Sequence, residues 1–168
     1  MSEEKSVKIH VENLTKKFGD LLVLDNISFD IKKGEFVCVV GPTGCGKTTF
    51  LNLLSCLIEP TEGKLLIDGQ PADPKKHDIA FVFQEPSSFP WLNVEQNIEI
   101  GMKIKKIPEQ ERKERVERMI SLMGLEQFRK SYASQLSVST EQRMVIARAF
   151  AMNPDLLLMD EPYGQMDI

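Results

Sequence analysis

The chain has 168 residues with a formal charge of −4, 21 Lys+Arg against 25 Asp+Glu. That is enough for one domain with a real core and short for two complete ones, and no global basic field draws in nucleic acid or an anionic membrane surface. Its three cysteines, Cys38, Cys45 and Cys56, have neither zinc-site nor disulfide-framework spacing. They suit a reducing cytosol. The charged start MSEEKSVKIHVENL is no secretory leader, and no run reaches the ~20 apolar residues of a membrane span, so any membrane role goes through a partner.

In chain order, alternation over Val7–Val11 and Ile27–Ile31 predicts half-buried, antiparallel strands, with turns at Gly19-Asp20 and Lys33-Gly34. Lys64–Ile67 before Asp68-Gly69 reads the same way. Phe36–Val40, Ile79–Phe83 and Leu156–Met159 are apolar without alternation, the pattern of strands covered on both faces, and predict a mainly parallel core sheet. From Asn93 the texture is helical. In PEQERKERVERMISLMG, Val116, Met119, Ile120 and Met123 share a face, Pro108 suits a first turn and Gly124 the residue past the end. ERKERVER reads as a solvated face, and a helical insertion over about residues 90–150 follows.

After Phe36–Val40 comes GPTGCGKTT: Gly41, Pro42, Thr43, Gly44, Cys45, Gly46, Lys47, Thr48, Thr49. It fits G-x-x-x-x-G-K-[ST] between a predicted strand and an apolar helical run. The glycines let backbone N–H groups wrap phosphate oxygens at a positive helix end. Lys47 would reach the β- and γ-phosphates and Thr48 would offer a hydroxyl to Mg²⁺. The plainer alternative is a Gly-rich turn. Cys45 would sit where helix N-terminal potential favours a thiolate, or is merely a tolerated small residue. The last apolar run ends in Asp160-Glu161, one acid placed to hold metal and the next to polarise water; without the loop, the pair would read as an acidic turn before Pro162.

Together, GPTGCGKTT, Gln84 after its strand, LSVSTEQRMVIARAF and LLLMDEP resemble the nucleotide-binding subunit of ABC transporters nearly end to end. The stretch QEPSSFPWLNVEQNI is most similar to the nitrate/sulfonate/taurine importer subgroup. The resemblance implies an α/β, P-loop NTPase of ABC type: a mainly parallel core sheet, a small antiparallel β-subdomain and a helical insertion, in one domain. It implies ATP and Mg²⁺ as ligands, a membrane permease and a second nucleotide-binding subunit as partners, and a peripheral place on the cytoplasmic face of the membrane. It implies that Phe18 stacks on adenine, where a lone Phe would otherwise read as core, and that Gln84 touches Mg²⁺ and the attacking water, where it would otherwise be a polar strand terminus.

Two departures stand out. The family's Leu-Ser-Gly-Gly-Gln reads Leu136-Ser137-Val138-Ser139-Thr140, so Ser137, Val138 and Ser139 face the phosphate of an opposite subunit without either glycine. Val138 disfavours the positive φ that glycine permits, and Glu141 adds negative charge where an anion would dock. Ser139-Thr140-Glu141-Gln142 reads as a capping box for the helix that follows. A weakened composite site is expected. The chain also ends soon after Gly164–Asp167, which resembles the family's D-loop, ahead of the further strand and switch histidine; His10 and His77 do not match that position. A shortened chain is expected on that ground. The rival function is an ATP-binding module with little turnover, while soluble ABC ATPases of translation or DNA repair are disfavoured by the lack of a second cassette, coiled-coil insertion or basic stretch.

Overall fold

A computed structural model describes residues 6–164. Its packing gathers into two compact units, Met1–Asp78 and Ile79–Ile168. Among the described residues no helix is long and apolar enough to cross a membrane.

In the N-terminal unit, strands β1 (Val7–Phe18) and β2 (Leu21–Lys32) form a hairpin through Gly19-Asp20, and β3 (Glu62–Ile67) turns through Asp68-Gly69 into β4 (Gln70–Pro71). The sheet order is β2-β1-β3-β4 and every pairing is antiparallel. Ile9 faces Ile31 and Ile67 across the ladders, and Val11 faces Phe29 and Leu65. Ile9, Val11, Leu65 and Ile67 are buried, which is the period-2 pattern that predicted these strands.

The register shifts between Val11 and Leu14, where Asn13 takes φ 49°. Ser28 Oγ accepts from the Asn13 N–H at 2.7 Å, so the irregular residue keeps its backbone bond. Opposite lies Gly63 at φ +89°, where a Cβ would stand 2.3 Å from the Asn13 carbonyl oxygen. Helix α1 (Lys47–Leu54) buries Phe50, Leu53 and Leu54, with the Phe50 ring 5.5 Å from that of Phe29.

The expected strand Phe36–Val40 is corrected: no ladder forms there, and Phe36 and Val40 are 94% and 90% exposed. Among the described residues of its unit the sheet is the antiparallel one, whose longer strands carry alternating patterns. A non-alternating run takes its place in a sheet only with cover on both faces, which the N-terminal unit does not supply.

In the C-terminal unit, β5 (Ile79–Val82) and β6 (Leu156–Met159) pair in parallel, Ile79 against Leu156 through to Val82 against Met159. These two non-alternating runs behave as predicted. Between them run α2 (Val94–Ile104), α3 (Glu109–Leu122) and α4 (Val138–Ala151). Their core joins Val94, Ile98 and Met102 to Val116, Met119, Ile120, Met144, Val145 and Ala147. Asn93 and Gln96 close a capping box at α2. Pro108 stands at the N-cap of α3, one position before the expected first turn, and Gly124 follows its end at φ +61°. The predicted solvated face carries i,i+4 pairs, Lys113 to Glu109 at 2.6 Å and Arg115 to Glu111 at 2.5 Å.

Gly63→Ala is expected to lower stability by more than ~3 kcal/mol, because strained φ is joined by a clash with backbone that cannot swing aside. Gly69 also has positive φ, +75°, but nothing lies within 4 Å of its Cβ position. Gly69→Ala is therefore expected to cost only about 1–2 kcal/mol. Chemical denaturation of the two variants side by side checks the order.

Candidate functional site: a phosphate-type loop, a paired acid strand end and a capped helix

The loop from Gly41 to Lys47 turns on glycine. Gly44 and Gly46 lie at φ +81° and +98°, and Gly46 is the N-cap of α1. A Cβ on Gly46 would stand 2.9 Å from Leu24 Cδ2 and 3.2 Å from the Val23 carbonyl oxygen. One on Gly41 would stand 2.6 Å from Cys45 Sγ, and Cys45 itself is exposed. The Cys45 N–H donates to the Pro42 carbonyl at 3.3 Å, which closes the turn across Thr43.

Lys47 opens α1, and its Nζ donates to the carbonyls of Gly41 at 3.0 Å and Pro42 at 3.1 Å. The first turn of α1 carries no acid, and its early N–H groups have no partner within the helix, Thr48 and Thr49 included. This is a donor-rich turn in which Gly46 has no room for a side chain, and it suits a phosphate.

Phe18 ends β1 opposite Leu21 and is 49% exposed, so it is not a core residue. Lys16 Nζ lies 4.9 Å from its ring centroid. The ring offers a flat π-face at the surface.

The acid end is built by strand register. Val82 opposes Met159, and the Asp160 N–H continues the ladder to the Val82 carbonyl at 2.9 Å. Two residues past each partner stand Gln84 and Glu161. Gln84 Nε2 donates to Glu161 Oε2 at 3.1 Å. Glu161 takes φ 44° and its carbonyl accepts from the Gly164 N–H at 3.0 Å, so a tight turn lifts an exposed carboxylate clear of the strand. Asp160 is buried, 5% exposed. A cation would fit such a group, because a buried carboxylate is costly without a partner. The resembling D-loop residues Gln165–Asp167 lie outside the described residues.

The signature segment corrects two expectations. The N-cap of α4 is Ser137, not Ser139: Ser137 Oγ accepts from the Thr140 N–H at 3.3 Å and lies 2.9 Å from Thr140 Oγ1. Gln142, expected to complete the box, is wholly buried instead, with Nε2 3.5 Å from the Phe83 carbonyl. Val138 is the first helical residue, without positive φ, so its branched side chain meets no conflict there. The nearest cap is the one the backbone selects, because Ser137 already has the extended backbone an N-cap requires. Glu141 carries its charge in the first turn, but its carboxylate accepts from the Ser88 hydroxyl.

The family model described as ABC transporter matches residues 24–164. The chain belongs to the ABC transporter family. It is 42% identical over 169 residues to an ABC transporter ATP-binding protein of Methanocaldococcus jannaschii, covering 98% of this chain and 63% of the relative. It is 44% identical over 162 residues to a spermidine/putrescine import ATP-binding protein of Bacillus thuringiensis, covering 95% of this chain and 50% of the relative. The chain therefore spans about half to two thirds of the length of these curated relatives. Among solved structures, a dimeric ATP-binding cassette in a post-hydrolysis state bound to ADP and Pi superposes with TM-score 0.84 at 35% identity, over 95% of this chain and 76% of that one. The fold is the P-loop NTPase fold of ABC cassettes, with an antiparallel sheet and a parallel pair.

Within this ABC cassette several site-shaping residues escape the sequence reading. Asn97 is wholly buried: its Oδ1 accepts from the Phe89 N–H at 2.8 Å, and Nδ2 reaches the carbonyls of Phe89, Leu92 and Asn93 at 3.1, 2.9 and 3.1 Å. The signal was present, since Asn97 falls in phase with Val94 and Ile98 on the buried face of a helix, where a polar residue needs partners. Arg148 Nη2 donates to the carbonyl and hydroxyl of Ser87 at 2.8 and 3.1 Å, and its guanidinium lies 5.2 Å from the Phe89 ring centroid. Burial pushes its pKa below the usual arginine range. Lys16 was legible too, two residues from Phe18 on the same strand face.

Gly46→Ala is expected to lower the melting temperature and to disorder the start of α1. The strain at φ +98° and the contact with Val23 backbone are worth about 1–3 kcal/mol or more together. A thermal scan with far-ultraviolet circular dichroism shows it, with Gly44→Ala, whose Cβ position is open, as the milder companion.

Proposed function

We propose that the chain binds and hydrolyses ATP as the nucleotide-binding subunit of an ABC importer, driving solute passage through a partner permease at the cytoplasmic face of the membrane. The observation that carries the reading is the pairing of Gln84 with Glu161 at the end of β5 and β6, a carboxylate held by an amide beside a second, buried acid. The glycine loop and Lys47 support it. So do the relatives named as import ATP-binding proteins.

In this reading the loop amides of Gly41–Thr49 wrap the phosphates, and Lys47 exchanges the carbonyls of Gly41 and Pro42 for β- and γ-phosphate oxygens. Glu161 takes a proton from water as its oxygen bonds to the γ-phosphorus, and the bond to the ADP oxygen breaks. Gln84 orients Glu161 and the water. Thr48, Asp160 and Gln84 would hold Mg²⁺, which when bound neutralises charge on the phosphate oxygens. Phe18 stacks on adenine, with Lys16 on its ring. Ser137, Val138 and Ser139 face the nucleotide of a second cassette.

The importer subgroup rests on Pro90-Trp91-Leu92, and nitrate, sulfonate or taurine is the solute class it favours; the relatives named for polyamine and sulfate import are the competing classes. A second reading, binding with little turnover, is favoured by Val138, whose half-exposed side chain stands at the helix start where the family has glycine.

Lys47→Ala is expected to abolish Mg·ATP binding, and Glu161→Gln to keep binding while lowering kcat by about 10²–10⁴-fold. Equilibrium binding of a fluorescent ATP analogue and phosphate release measure the two. Binding without turnover by the unaltered chain, with a permease present, would establish the second reading instead.

A further inference from the structure

Phe83 to Phe89, the stretch that carries Gln84, contains neither helix nor strand. Its position is therefore decided by side chains. Three of them come from one helix. Gln142 Nε2 approaches the Phe83 carbonyl at 3.5 Å, the Glu141 carboxylate accepts from Ser88, and Arg148 donates to Ser87 and stacks on Phe89. Glu141 and Arg148 are seven residues apart, two turns of α4, so they share a face and lie about 10 Å apart along the axis. The Ser87 and Ser88 side chains thus meet groups of opposite charge on a single rigid element. The same helix has Ser137 as its N-cap.

We propose that Glu141 and Arg148 are positioning residues that strap the Gln84 segment to α4, so that Gln84 and Ser137 move as one body. The strap rests on the ATPase reading only for its effect on turnover. A displacement at the N-terminus of α4, where the reading places the second cassette, is passed to Gln84 through Ser88 and Ser87. Gln84 passes it to the Glu161 carboxylate it holds at 3.1 Å. Glu141 therefore has a use that its nearness to an anion site hides: it is the acceptor that fixes Ser88.

The test uses the full chain without nucleotide. Amide hydrogen exchange at Phe89, whose N–H is bonded to Asn97 Oδ1, is compared in the unaltered protein, Ser88→Ala, Glu141→Ala, their double variant and Ser88→Thr. Each alanine variant is expected to speed exchange there roughly tenfold, with the double variant no faster than either single. Ser88→Thr, which keeps the hydroxyl, should restore the unaltered rate. Amides of α3 should not change.

Trp91, the one tryptophan, lies 5.6 Å from Phe89 and is 70% exposed, so its emission reports Arg148→Lys independently by a shift. For turnover, Ser88→Ala should lower kcat with KM unchanged. Unchanged exchange in the alanine variants, or additive effects in the double variant, would overturn the strap. Absence of turnover in the unaltered protein would remove the ATPase reading and leave the exchange result to decide the strap alone.

Discussion

The parallel, in-register pairing of β5 with β6 is the constraint on which the acidic end of the C-terminal unit depends. Because Val82 opposes Met159, each residue beyond the ladder has a fixed counterpart, and the Asp160 N–H still bonds to the Val82 carbonyl. Gln84 and Glu161 meet because each is two residues past its partner. A one-residue slip would turn one strand over relative to the other and send the two side chains to opposite faces. The register is in turn secured by burial of Val82 in the helical core, against which Leu157 and Met159 also pack, and a crossover between parallel strands requires such a core. The position of Glu161 therefore draws on packing far from it, down to Ile98 and Ile120.

The N-terminal unit solves a different problem. The space around its glycine loop is set by Leu24 and Val23 at Gly46 and by Cys45 at Gly41. Glycine at Gly46 is thus a steric requirement of the surrounding fold as well as a conformational one, whereas at Gly41 the crowding is with the Cys45 side chain alone. Lys47 closes the loop on its own carbonyls, which keeps the donors converging before any anion arrives. The exposed π-face of Phe18 sits at a hairpin end whose register is fixed by Gly19-Asp20.

What the sequence made legible follows physical strength of signal. Period-2 alternation read β1, β2 and β3, because one buried face leaves a mark at every second residue. Non-alternating runs read β5 and β6 and failed at Phe36–Val40, since an apolar run states a need for cover without supplying the neighbour. Gly44 and Gly46 were legible because positive φ restricts residue type. Ser137 was passed over as a cap for Ser139, because two serines two residues apart offer the same side-chain oxygen and only backbone φ and ψ choose between them. The contacts of Arg148 and Ser88 join residues about sixty and fifty positions apart, and no local pattern encodes such pairs.

Loss of both signature glycines bears differently on helix formation and on hydrogen-bond donation. Ser137 Oγ has one proton and two lone pairs. It spends a lone pair on the Thr140 N–H, which starts α4, and its proton is shared among Thr140 Oγ1, Ser139 Oγ or any anion at the helix end. Capping therefore does not consume the donor. Val138 costs the helix nothing at its first position, but its half-exposed side chain occupies surface that glycine would leave open. The helix, its positive end and the Ser137 hydroxyl are intact with valine at that position. Any impairment of a composite site would accordingly appear as a distance effect, one that a smaller residue at Val138 relieves, and not as a loss of the helix.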